Sequence, residues 1–170
     1  MPLKKPTELP KIPKTRKKKA YSAIEAVPEL KPDKLEYICR AYFHYDKLYK
    51  KQEYILSVET IAEFTSFAYE VSVDVLREKH EIYLVLMGLT AKTNIVPEIK
   101  PAVTEVKFDD LIGEYTVNVV KQDGAINSCK INFNLFLKEI KILQTFKPKK
   151  KNNRYFCDFV VDEENFSSLI

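Results

Sequence analysis

From Leu35 onward, apolar residues recur at every second position in run after run. That period constrains the fold class more than any other feature. Successive strand side chains point to opposite faces, so alternation of this kind buries one face of a sheet and does not suit a helix. Tyr37, Cys39, Ala41, Phe43 and Tyr45 alternate with Ile38, Arg40, Tyr42 and His44, which predicts a strand with one aromatic face. Phe67, Tyr69, Val71, Val73 and Val75 oppose Glu70, Ser72 and Asp74. "EIYLVLMGL", Glu81–Leu89, is apolar on both faces, so it predicts a central strand covered on both sides. Val103–Phe108 and Arg154–Val161 read as further strands. Tyr54–Val58 is a weaker strand, and Ser57–Phe64 reads equally as a short helix capped by Ser57 or Thr60. Arg77–His80 is polar enough to turn the chain. Thr90–Pro101 reads as a long surface connection, and "DEENFSSLI" as a frayed end or capping turn.

"GEYTVNVVKQDGAINSCKINFNLF", Gly113 to Phe136, holds two alternating runs around Asp123-Gly124. A two-residue turn there would set Val117 against Lys130 and Tyr115 against Asn132. A three-residue loop, Gln122-Asp123-Gly124, sets Val117 against Cys129 and Tyr115 against Ile131. The buried face sets register, so the three-residue loop is predicted, with Gly124 at the left-handed bulge position. Cys129, Ile131, Phe133, Leu135 and Leu137 share a phase that then slips to Ile140 and Ile142. A bulge or sharp bend near Lys138–Glu139 would absorb the slip.

"LIGEYTVNVVKQDGAINSCKINFNL", Leu111–Leu135, resembles the last two strands of an immunoglobulin-like domain. The resemblance puts Tyr115 in the place of the tyrosine corner, its hydroxyl tied back to upstream backbone. The chain departs from that family: Val117 stands where the disulfide cysteine would be, there is no tryptophan, and more strands follow. The fold expected is all-β, an immunoglobulin-like β-sandwich of about eight strands over residues 35–170.

Residues 1–34 read as a tail of another character. Pro2, Pro6, Pro10, Pro13, Pro28 and Pro32 punctuate it, which predicts disordered or extended backbone with at most a helical turn near Ala20–Ala26. Met1–Ala20 carries eight Lys/Arg and one acid, net +7, which leaves −3 on the rest of a chain of net +4. No run of 18 apolar residues predicts a membrane span, and no apolar segment follows the basic start as a secretory signal requires. Cys39, Cys129 and Cys157 form no C-x-x-C. They predict buried thiols and an intracellular setting, cytoplasmic or nuclear, with one disulfide plus a free thiol as the other arrangement.

The chemistry on offer is thin. Three glycines, Gly88, Gly113 and Gly124, stand too far apart for a phosphate-cradling loop. Asp109–Asp110 and Glu163–Glu164 read as solvated turn acids, since neighbours on a strand face opposite ways. His44 reads as a rim histidine. No catalytic constellation, metal site or cofactor is implied. What remains is two basic clusters: Lys14, Arg16, Lys17, Lys18 and Lys19 in the tail, and Lys147, Lys149, Lys150, Lys151 and Arg154 near the end. Tyr155 and Phe156 beside the second cluster offer rings for stacking on bases. The expectation is a non-catalytic module docking on a protein or multi-subunit assembly, its basic tail against an acidic surface. Nucleic-acid or ribonucleoprotein binding through both clusters is the alternative. A barrel holding a small apolar ligand is the third reading.

Overall fold

The computed structural model describes residues 12–65, 68–92 and 98–162, with side chains from Arg16 onward. One helix, α1 (Ile12–Glu25), precedes nine strands among these residues: β1 (Tyr37–Asp46), β2 (Lys51–Phe64), β3 (Tyr69–Glu78), β4 (Glu81–Ala91), β5 (Lys100–Phe108), β6 (Gly113–Lys121), β7 (Ile126–Asn134), β8 (Glu139–Phe146) and β9 (Cys157–Val161). They form a four-stranded sheet, β5-β2-β1-β9, and a five-stranded sheet, β3-β4-β6-β7-β8. Each sheet is mixed: β1 and β9 run parallel, as do β4 and β6. The all-β expectation holds, with nine strands in place of about eight. Phe67, residues 93–97 within the Thr90–Pro101 connection, and Glu163–Glu164 with the rest of the C-terminal segment lie outside the described residues.

The two sheets share one core. Cys39, Ala41, Phe43, Tyr54, Leu56 and Val58 of the smaller sheet meet Ile82, Leu84, Leu86, Val117, Val119, Cys129, Ile131 and Phe133 of the larger. Tyr54 links the layers, its ring centroid 4.9 Å from that of Phe133 and 5.3 Å from that of Phe43. At one side β3 lies against β5, where the Thr104 hydroxyl donates to the Val71 carbonyl. The cavity between the sheets, lined by Cys39, Val117, Cys129 and Phe159 among others, holds about 10 Å³. A small ligand needs roughly 300 Å³, so this interior is filled by side chains.

β4 is covered on both sides, as its sequence predicts. Ile82, Leu84 and Leu86 enter the shared core. Val85 turns the other way, into a second cluster with Ala20, Ala23, Leu76, Val120 and Ile126, against which Ile24, Tyr83 and Met87 pack. The outer cover is α1. The prediction of an extended tail therefore fails for residues 12–25. The prolines that suggested it bracket a gap: between Pro13 and Pro28 lie fourteen proline-free residues, rich in Lys and Ala, which favour helix. Pro13 sits in the first turn, where its missing N–H costs nothing, and Pro28 stands beyond the end. Ala20, Ala23 and Ile24 fall on one helical stripe. The two alanines are small enough to let the helix lie close on the strands.

The β6–β7 register is the predicted one, with Val117 opposite Cys129 and Tyr115 opposite Ile131. Gly124 N donates to Lys121 O, Lys121 N donates to Ala125 O, and Gly124 has φ +97. The Tyr115 ring packs edge-on to His80 and Phe133, and its hydroxyl makes no hydrogen bond with the described residues.

Four local readings are settled or corrected. Ser57–Phe64 is strand, part of β2, with a register shift against β5 between Glu59 and Glu63 in place of a helical turn. The phase slip after Leu137 meets a complete turn over residues 135–138, with Lys138 at φ 50: of the bulge or sharp bend expected near Lys138–Glu139 the bend occurs, and Leu135 and Leu137 lie in it and not in the strand. A bulge does occur further along, between Lys130 and Ile131. In β3 a shift between Ser72 and Val73, opposite Met87, breaks the predicted face. Tyr69, Val71 and Val73 pack on the core, Val75 is 36% exposed, and Leu76 turns under α1. β9 starts at Cys157, later than Arg154.

Strand direction fixes the two ends of the molecule. β1 starts at Tyr37, paired with Cys157. β8 finishes at Phe146, which shares a cleft with Tyr155 and Cys157. The loop 147–156 therefore lies at one end. The turns 47–50 and 135–138 lie at the other, about 30 Å away along strands of eight to ten residues.

Candidate anion-binding face

The hairpin tip, the end of α1 and the loop after β8 meet in one polar knot. Gly124 is buried beneath the end of the helix, and a Cβ there would stand 2.0 Å from the Ala26 carbonyl oxygen. Lys150 Nζ donates to Ile24 O at 2.8 Å and to Gly124 O at 2.7 Å. It thereby satisfies a carbonyl at the helix C-terminus, where a cation is electrostatically favoured. Burial lowers the Lys150 pKa, against the opposing pull of Asp123. Asp123 accepts from Arg154 Nη1 at 2.7 Å and from Ala125 N at 3.0 Å. Burial alone would raise the Asp123 pKa, but the Ala125 N–H and the Arg154 guanidinium outweigh it and leave the carboxyl below its ordinary value.

Two asparagines hold the loop against β7. Asn153 accepts from Ile126 N and donates to Ile126 O and Pro148 O. Asn127, buried, donates to Ile126 O and Arg154 O, and accepts from Phe156 N and Cys157 N. Each side chain stands in for the backbone partners that an irregular buried segment lacks.

This knot brings the two basic clusters together. Lys19 precedes Ile24 by five residues, about 7.5 Å of helix, and Ile24 is held by Lys150. Six of the ten predicted residues are exposed here: Lys17, Lys18 and Lys19 on α1, and Lys147, Lys149 and Lys151 on the loop. Between the helix and β4 runs an open groove of about 620 Å³, lined by Lys18, Lys19, Ser22, Ala23, Ala26, Met87 and Gln122. Gln122 donates to the Met87 carbonyl at its floor.

The other four are placed differently. Arg16 pairs with Asp74 at 3.0 Å and donates to the Ser72 hydroxyl, tying α1 to β3. Arg154 is 5% exposed and committed to Asp123, and Lys150 is committed to two carbonyls. Lys14 lies in α1 with its side chain outside the described residues. Phe156 is fully buried, with Lys121 Nζ 5.7 Å from its ring centroid. It offers no stacking surface, so Tyr155 alone stands out at this point. Sequence reasoning missed the knot itself. Nothing in "KNNRYF" separates the two structural cations from their solvated neighbours.

Elsewhere, side chains serve structure. Asp110 pairs with Arg77 at 2.8 Å and Asp109 lies 3.8 Å from Lys51, both acids well exposed. His44 sits across from Glu53 on the outer face of the smaller sheet. The three cysteines are free and buried. Burial pushes Cys129 and Cys157 up to about 12, and Cys39 well above its ordinary value. Among the described residues, no group of three His, Cys, Asp or Glu could hold a metal ion, and no helix is long and apolar enough to cross a membrane. Comparison with protein families, curated proteins and solved structures finds no match for this chain.

Proposed function

We propose that this chain is a non-catalytic binding module that docks on an acidic macromolecular surface through the lysines of α1 and of loop 147–151. The observation that carries the reading is the Lys150 clamp. It holds the loop of the second lysine run against the end of the helix that carries the first, where Lys18 and Lys19 line an open groove. A preorganised set of like charges steers association and sets orientation more than it adds raw affinity. The partner favoured is a protein surface rich in carboxylates. All six exposed cations are lysines, point charges without the bidentate fork that reads phosphate or base edges, and the second ring of a stacking platform is buried.

Nucleic acid is the second reading, supported by the same charge density. The body is read as an immunoglobulin-like sandwich on the strength of the β6–β7 hairpin and its three-residue loop alone. The free buried thiols support a reducing, intracellular setting. Binding to polyglutamate and to duplex DNA, each titrated with salt, tests the reading. Tighter binding to polyglutamate, abolished by Lys147→Glu with Lys149→Glu, supports the acidic protein surface. Preference for DNA with a steep salt slope transfers the face to nucleic acid. Binding to neither ends both.

A further inference from the structure

The end opposite the lysine face carries a repeated device. The turn 47–50 joins β1 to β2 in the smaller sheet, and the turn 135–138 joins β7 to β8 in the larger. Each is four residues long and ends on a left-handed lysine, Lys50 at φ 53 and Lys138 at φ 50. Each is pinned by the side chain just before it. Asp46 Oδ1 accepts from Leu48 N and Tyr49 N, and Asn134 Oδ1 accepts from Leu137 N. Each presents two large apolar residues to solvent at its second and third positions. Leu48 is 81% exposed and Tyr49 69%; Phe136 is 92% exposed and Leu137 70%.

Scattered surface apolar residues need no explanation. Four of them, in pairs, on two turns of one geometry at one end of two sheets, are a different matter. The two turns hold Lys47, Lys50 and Lys138, and residues 47–50 and 135–138 contain no acid; one residue further, Lys51 lies 3.8 Å from Asp109, and Glu139 follows the second turn. The Asp46 carboxylate is turned inward onto the tip backbone. Apolar side chains at the very tip with lysines around them match the layering of a bilayer surface, acyl chains below and anionic headgroups above.

We propose that this end of the fold docks on an anionic lipid bilayer. Leu48, Tyr49, Phe136 and Leu137 enter the interfacial layer, and the tip lysines sit among the headgroups. The reading is independent of the lysine face, which would then point away from the membrane, about 30 Å above it.

The test uses the full chain and vesicles of phosphatidylcholine with and without phosphatidylserine. The chain has no tryptophan, so Tyr49→Trp installs a single reporter on an exposed tip. The expected result is a blue-shifted, brighter emission with phosphatidylserine vesicles. Phe136→Ser with Leu137→Ser should weaken vesicle cosedimentation by about tenfold or more. Lys147→Glu with Lys149→Glu, on the opposite face, should leave the emission shift in place. An unshifted emission overturns the proposal. So does vesicle binding that follows the 147–149 lysines and ignores the tips, or tip-dependent self-association in sedimentation velocity without lipid. All these positions are exposed, and an unchanged thermal transition verifies that each variant folds.

Discussion

Gly124 lies directly under Ala26: a Cβ added to the glycine would stand 2.0 Å from the alanine's carbonyl oxygen. The last turn of α1 thus rests on the tip of the β6–β7 hairpin, and only a residue without a side chain permits it. Gly124→Ala is expected to destabilise by about 2–4 kcal/mol, combining left-handed strain with displacement of the helix end. Gly88 is the control. Its φ is +114 and nothing lies within 4 Å of an added Cβ, so Gly88→Ala carries backbone strain alone, about 1–3 kcal/mol. Urea unfolding of both variants measures the difference. Equal losses would mean that the helix does not press on the turn.

Asp123 and Arg154 make the knot sensitive to acid. The folded carboxyl lies below its ordinary value of 3.8. Its stabilisation is therefore complete above that value and fades as pH falls through the lower, folded one. Asp123→Asn should cost stability near neutral pH, and the gap to the parent chain should narrow as pH falls below the carboxyl's ordinary value and close beneath its lower, folded one. Urea midpoints across that range check it. A gap that persisted in acid would place the effect in packing, not in the ion pair.

The buried thiols should be inert in the folded chain. Cys129 and Cys157 are pushed up to about 12 by burial, so at neutral pH almost no thiolate exists to react. Iodoacetamide is expected to modify none of the three in the native protein and all three in denaturant, as read by intact mass. Rapid native labelling at one site would expose that strand as locally open.

Much of this architecture was legible in the alternation, and the reason is physical. A strand with one wet face writes its register into its residues. Val117 opposite Cys129 and the three-residue loop followed from that rule alone. Glu81–Leu89 announced a cover on its second face, but nothing in period two could say what the cover was. The missing layer was α1, hidden because Ala20 and Ala23 make a weak apolar stripe among lysines. Docking by small residues leaves little trace in a hydrophobic pattern. The lysine clusters were visible as charge. Which cations are committed to structural partners, Arg16, Lys150 and Arg154, depends on residues far away in the chain. The tip residue Leu137 reads as strand because it continues the phase of Phe133, and only the turn places it, with Phe136 beside it, in solvent.

The docking of α1 can be tested at Ala20, which is fully buried against the larger sheet. Ala20→Leu adds volume where the helix lies closest, and overpacking of this kind costs about 1–3 kcal/mol. Lys17→Ala, on the exposed side of the same helix, should be within about 0.5 kcal/mol of the parent. Thermal unfolding separates them. Matched transitions would show a helix that lies on the sheet without depending on it.

Lys150 gives the sharpest separation of structure from charge. Its ammonium serves the carbonyls of Ile24 and Gly124, while Lys149 beside it is exposed to solvent. Lys150→Met keeps most of the stem and removes both hydrogen bonds. It leaves two partly covered carbonyls unserved, at about 1–3 kcal/mol. Lys149→Met removes the same formal charge and should change stability by less than about 0.5 kcal/mol. Hydrogen exchange should report the difference locally, with faster exchange in the last turn of α1 and at residues 124–126 for Lys150→Met only. On the proposed acidic-surface reading, Lys149→Met weakens polyglutamate binding only through lost charge, and salt erases its effect. Lys150→Met weakens binding through lost geometry as well, because the loop is no longer held beside the helix. Part of its effect should therefore persist at high salt.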